Sequence, residues 1–114
     1  MTHQHKELAA GRWESMSFCE QMANVGSEVE RTLKWKEKNN LEYSQKALER
    51  ALELLELTID CAAKKTAPHA YLKELTRVRE CLLDFFSGEN VYNDNSSSIR
   101  KFFYYFGVSA RKAT

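Results

Sequence analysis

Proton-transfer and metal chemistry draw first on histidine, and this 114-residue chain has three: His3, His5 and His69. His3 and His5, with Glu7, could gather a stray metal ion, but no fourth ligand is fixed beside them. His69, at the start of a helical stretch, reads as a surface residue. A carboxylate di-iron centre in a helical bundle requires a Glu-x-x-His pair on each of two helices, and the chain contains none. Glu28, Glu30, Glu49, Glu53 and Glu56 are therefore read as helix-flank charges, with no metal and no cofactor expected. The three cysteines, Cys19, Cys61 and Cys81, include no C-x-x-C pair. Cys61 and Cys81 border apolar stripes and behave as small hydrophobes. Only Cys19, in the first turn of a helix, has a setting that suits a nucleophile. No catalytic residue is expected.

Two other clusters suit binding better than catalysis. In Arg77-Val-Arg-Glu-Cys-Leu-Leu-Asp84, Arg77, Glu80 and Asp84 recur at i, i+3 and i+7 while Arg79 projects from another side. This is an ion-pair ladder, or a partner-facing surface joined by Glu89, Asn90 and Tyr92. Near the C-terminus, Phe102-Phe-Tyr-Tyr-Phe106 is bracketed by Arg100, Lys101, Arg111 and Lys112. As a helix, Ile99, Phe102, Phe103, Phe106 and Ala110 form one apolar face, leaving Tyr104 and Tyr105 on another. Spare rings on a second face imply a second neighbour. A subunit or partner contact is the leading expectation; bases stacked on the tyrosines, with the basic residues on phosphates, is the alternative.

The elements that position these clusters are helices. One proline and four glycines interrupt the chain, and strand-like alternation is hard to find. Ser17 and Glu20 form a capping-box pair, after which Phe18, Met22, Val25, Val29 and Leu33 make one stripe. Gly26 beside that stripe predicts a close helix crossing, and Asn39-Asn40 a stop and turn. A second helix carries Leu41, Leu48, Ala51, Leu52, Leu55, Ile59 and Ala62, widened by Ala47 and Leu54. Glu42, Lys46, Glu49, Arg50, Glu53 and Glu56 form its solvated face. Thr66 and Pro68 open a third helix bearing Leu72, Leu75, Val78, Leu82 and Phe85 or Phe86, closed by Ser87-Gly88. One of Ser96 to Ser98 is expected to cap the fourth. The spacing thus predicts an all-α antiparallel four-helix bundle with helices near 17–38, 41–63, 69–86 and 98–112. Residues 1–15 read as a loose tail from which Trp13 folds back, and 16–114 as a single domain.

Lys plus Arg number 17 against 16 for Asp plus Glu, a net charge of +1, so no whole-surface field for nucleic acid or membrane is expected. An odd cysteine count, no apolar run of membrane-spanning length and no secretory h-region suggest a cytoplasmic protein.

Three resemblances add to this reading. Asn40 to Leu54 is similar to half a tetratricopeptide unit, but no second copy follows at the required period. Four blocks are Glu20-Gln-Met-Ala-Asn-Val-Gly-Ser-Glu-Val-Glu-Arg31, Ala47-Leu-Glu-Arg-Ala-Leu-Glu-Leu-Leu55, Arg79 to Phe86 with Gly88-Glu-Asn-Val-Tyr92, and Phe102 to Phe106. Together they resemble a family of small bacterial helical proteins without an assigned activity, which implies a bacterial origin and no particular chemistry. Arg79-Glu-Cys-Leu-Leu-Asp84 is similar to the Arg, polar residue, apolar spacer and His of HEPN domains, with Asp84 in the place of the His. Lacking that acid or base, the likeness implies a non-catalytic scaffold.

The expected function is a non-enzymatic protein–protein interaction or self-associating module. Its contacts would come from Phe103, Tyr104, Tyr105, Arg77, Arg79, Glu80, Asp84 and Tyr92. The alternative is nucleic-acid binding, or a degenerate HEPN-like, RNase-related role, through Arg100, Lys101, Tyr104, Tyr105, Arg111 and Lys112.

Overall fold

Capping chemistry sets where the helices begin and end. In the computed structural model they are α1 (Phe18–Glu37), α2 (Leu41–Ala63), α3 (His69–Ser87) and α4 (Ser96–Lys112). The structure describes residues 11–63, 69–87 and 95–112. The expected bounds agree with these to within two residues at every end. Thr66, Pro68, Gly88, Glu89, Asn90 and Tyr92 lie outside the described residues, as do His3 and His5.

Ser17 caps α1 through the anticipated box: its hydroxyl accepts from the Glu20 amide at 3.1 Å, and the Glu20 carboxylate accepts from the Ser17 amide at 3.1 Å. At the other end Asn39 takes a left-handed conformation (φ 60°). Its amide donates to the Lys36 carbonyl and that of Asn40 to the Trp35 carbonyl, which closes the helix with a Schellman turn. Asn40 Oδ1 then accepts from the Tyr43 amide, so two adjacent asparagines stop one helix and start the next. The α4 cap differs from expectation. Asn95 holds the cap position, accepting from the Ser98 amide at 2.8 Å, while Ser98 Oγ accepts from the Asn95 amide. The helix begins at Ser96, so the cap position falls on Asn95, where asparagine serves as well as serine.

Helix α1 packs against both α2 and α4, and α2 packs against α3. Antiparallel pairing of α1 with α4 sets Phe18 edge-on to Phe106 at 5.7 Å at one end and Arg100 beside Glu30 and Glu37 at the other. The α1 stripe of Met22, Val25, Val29 and Leu33 is buried, with Phe18 packed partly at its edge. Ala51, Leu54 and Leu55 join its core from α2, Leu75 and Leu82 from α3, and Ile99 and Phe103 from α4. Each fully buried large aliphatic side chain contributes roughly 1.5–3 kcal/mol. Gly26 permits the expected crossing: a Cβ there would stand 2.9 Å from Phe103 Cβ.

Trp13 folds back as anticipated and is buried, its indole donating to Thr58 Oγ1 at 3.2 Å while Gln21 Nε2 donates to its carbonyl at 2.8 Å. It fills the end of the bundle where α1 begins and α2 finishes. Two assignments on α2 require correction. Leu41, placed on the core side, is 67% exposed because in the first turn of α2 it is Ser44 that faces α1, buried and donating its hydroxyl to the Thr32 carbonyl at 2.9 Å. Glu53, placed on the solvated face, is 1% exposed because α3 packs over that side of α2.

Candidate functional site

The residues expected to bind divide among separate surfaces. On α4 the 100° step that buries Ile99 and Phe103 turns Tyr104 and Tyr105 outward, 63% and 60% exposed, with ring centres 6.2 Å apart. Phe103, expected among the partner-facing residues, is instead buried against Gly26 because it lies on the inward face. Lys101 is exposed. Arg111 and Lys112 belong to α4, but their side chains lie outside the described residues, as does Tyr92.

Arg100, expected as a phosphate contact, is engaged within the bundle. Its guanidinium grips Glu30 through Nε and Nη2 at 2.9 Å each and Glu37 through Nη1 at 3.0 Å and Nη2 at 3.1 Å. Hydrogen bonding from Arg100 holds the Glu37 carboxyl below its ordinary value of 4.5, and Glu30 and Glu37 raise the guanidinium further above its already high value. A cation with two carboxylate forks filled has little left for an external anion.

On α3, Arg79 reaches across to Glu56 of α2 at 3.4 Å, with both side chains 45% exposed. Such a pair contributes about 0–1 kcal/mol. Arg77 and Glu80 are exposed and Asp84 is half-buried. Arg77 lines a gap of about 270 Å³ between α3 and α4 with Cys81, Ser98 and Phe102. Tyr104 lines a different groove, so the structure does not join the α3 ladder to the α4 tyrosines.

A third surface emerges from the hairpin of α1 and α2. Arg31, Lys34 and Lys38 recur at i, i+3 and i+7 on one ridge of α1; Tyr43, Lys46 and Arg50 recur at i, i+3 and i+7 on the facing ridge of α2. Antiparallel pairing aims both ridges into one groove of about 510 Å³, which Trp35 and Ala47 complete. Among the described residues, five cationic side chains line it and no carboxylate does. Nearby acids compensate in part: Glu28 lies 3.7 Å from Arg31 and Glu42 lies 3.5 Å from Lys46, the latter pair 76% and 52% exposed. Lys34 acts electrostatically on the Glu37 carboxylate, and Lys38 stands over the Trp35 ring. The helix dipole favours cations in the last turns of α1, but it gives no such stabilisation to Lys46 and Arg50 in the first half of α2.

The groove also holds a ring pair. Trp35 and Tyr43 meet edge to face at 4.9 Å, and Tyr43 is 47% exposed. The Lys38 ammonium lies 5.3 Å from the Trp35 ring centre and that of Lys46 lies 5.7 Å from Tyr43. Arg31 and Lys34 additionally line the groove of about 810 Å³ between α1 and α4, with Lys101 and Tyr104 opposite. The cationic surface therefore runs across the exposed ridge of α1. Sequence reasoning missed it by treating residues 34–38 as a helix end and Lys46 and Arg50 as solvated charge. The available signal was the matched i, i+3, i+7 spacing on either side of an Asn-Asn turn.

Among the described residues no group of three or more His, Cys, Asp or Glu gathers to hold a metal ion, and no helix is long and apolar enough to cross a membrane. Compared with models of known protein families, with curated proteins and with solved structures, the chain matches none. What stands of the resemblances seen in the sequence is the coarse statement: a small all-helical protein, four helices packed together.

Proposed function

We propose that this protein is a non-enzymatic binding module that takes a polyanionic partner in the groove between α1 and α2. The observation that carries this reading is the convergence of Arg31, Lys34, Lys38, Lys46 and Arg50 on one concavity that no carboxylate lines among the described residues. On a chain with a net charge of only +1, that concentration leaves the opposing negative charge elsewhere on the surface. The test is calorimetric titration with inorganic polyphosphate at low salt. Wild type is expected to bind, and the double reversal Lys34→Glu/Lys46→Glu, both exposed positions, to lose at least about tenfold in affinity while its circular dichroism is unchanged. Equal binding by the two proteins contradicts the reading.

A second reading, self-association through the outer face of α4, rests on Tyr104 and Tyr105, two adjacent rings each more than half exposed. Light-scattering mass over a concentration series separates the two. A dimer that Tyr104→Ala/Tyr105→Ala dissociates supports self-association; a monomer at every concentration sets it aside.

A further inference from the structure

We infer that the polyanion is single-stranded nucleic acid, its bases stacked on Trp35 and Tyr43 and its phosphates met by the surrounding lysines and arginines; this rests on the polyanion reading above. Charge alone would suit polyphosphate or an acidic peptide equally well, so the aromatic pair decides the class. Trp35 and Tyr43 sit within the basic groove, and Lys38 and Lys46 each bring an ammonium within 6 Å of a ring. Alternation of ring and cation at this spacing matches a polymer that alternates a planar base with a phosphate. A base laid on either ring takes the face now shared with the ammonium, and the displaced ammonium meets the adjoining phosphate. Duplex nucleic acid offers no such fit, because its base faces are already stacked inside the helix.

The position of the rings supports a binding role over a core role. Tyr43 is nearly half exposed and Trp35 half-buried, whereas the other tryptophan, Trp13, is 1% exposed and hydrogen-bonded to Thr58. The chain's two indoles thus differ in accessibility, and Trp35 is the one that a ligand in the groove can touch.

The experiment titrates the full chain at low salt with oligothymidylate, a duplex of equal length, inorganic polyphosphate and polyglutamate, measuring every affinity by calorimetry and following tryptophan emission as well in the wild type. Oligothymidylate is expected to quench Trp35 and bind about tenfold tighter than the other probes. Its affinity should fall with a log–log salt slope of about −0.7 for each phosphate neutralised. Trp35→Leu is expected to lower oligothymidylate affinity about tenfold and to leave polyphosphate affinity unchanged. Tyr43→Leu, at the more exposed ring, gives the same readout if the tryptophan substitution disturbs folding. If oligothymidylate and polyphosphate bind alike and neither ring substitution matters, the nucleic-acid inference fails and the polyanion reading stands. Preference for polyglutamate or for duplex also overturns the inference. If folded protein binds none of the probes, both readings fail.

Discussion

Toward α4, helix α1 presents Glu30 and Glu37 to the single guanidinium of Arg100; toward α2 it presents Arg31, Lys34 and Lys38 to Lys46 and Arg50. One flank pairs opposite charges and closes over Gly26 with the Phe103 ring, and the other sets like charges face to face around two aromatic rings. Like charges facing across a groove repel, and on this flank the Glu28–Arg31 and Glu42–Lys46 pairs offset that repulsion. The α4 flank is explained by the fold itself, whereas the role proposed for the α2 flank lies in what it would bind. Exposed basic and aromatic residues on a helix therefore do not identify a binding face until their partners are known. Arg100 and Lys34 read alike in the sequence and differ in what they touch.

The largest effect separating the flanks is steric. Gly26→Leu drives a branched side chain into a site where even a Cβ stands 2.9 Å from Phe103 Cβ. It is expected to destabilise the bundle by about 3 kcal/mol or more, and Gly26→Ala by about 1–2 kcal/mol after its gain in helix propensity. Lys34→Glu/Lys46→Glu is expected to stay within about 0.5 kcal/mol of wild type, as surface changes do. Urea unfolding of the three proteins checks the contrast.

A smaller effect tests the charge pairing. The Glu37 carboxyl is held below its ordinary value by Arg100, so the pair stabilises the fold in full above 4.5 and that share is lost as pH falls through the lowered value. Arg100, raised above an already high value, stays charged throughout this window. The melting temperature of Glu37→Gln is thus expected to lie below that of wild type at neutral pH, with the gap closing under acid conditions. A gap that stays constant as pH falls well below the ordinary carboxylate range would mean that Glu37 acts by packing.

Local chemistry and helical period made most of the fold legible. The Ser17–Glu20 box, the Met22 to Leu33 stripe, the close approach at Gly26 and the Asn39–Asn40 turn each depend on residues within a few positions of one another, or on a face a single period defines. Glu53 and Leu41 were misplaced because their burial depends on where the neighbouring helices sit and which residues of α2 face them, which one helix's pattern does not contain. The candidate site was less legible for the same reason. Arg100 meets glutamates 70 and 63 residues away, and the two basic ridges of the hairpin meet only once its register is set. A net charge near zero further concealed a groove with five cations.

The most direct test of the central claim, that the α1–α2 flank is a binding face, is the salt dependence of polyphosphate affinity. It compares wild type, Lys34→Glu/Lys46→Glu and the control Lys73→Glu, an exposed lysine of α3 that lines none of the three grooves. The expected result is a steep log–log slope for wild type and for Lys73→Glu, and a slope shallower by more than one unit, with weaker binding, for the groove variant. Equal slopes in all three proteins would mean that the anion is held by diffuse charge or elsewhere, and would contradict the account.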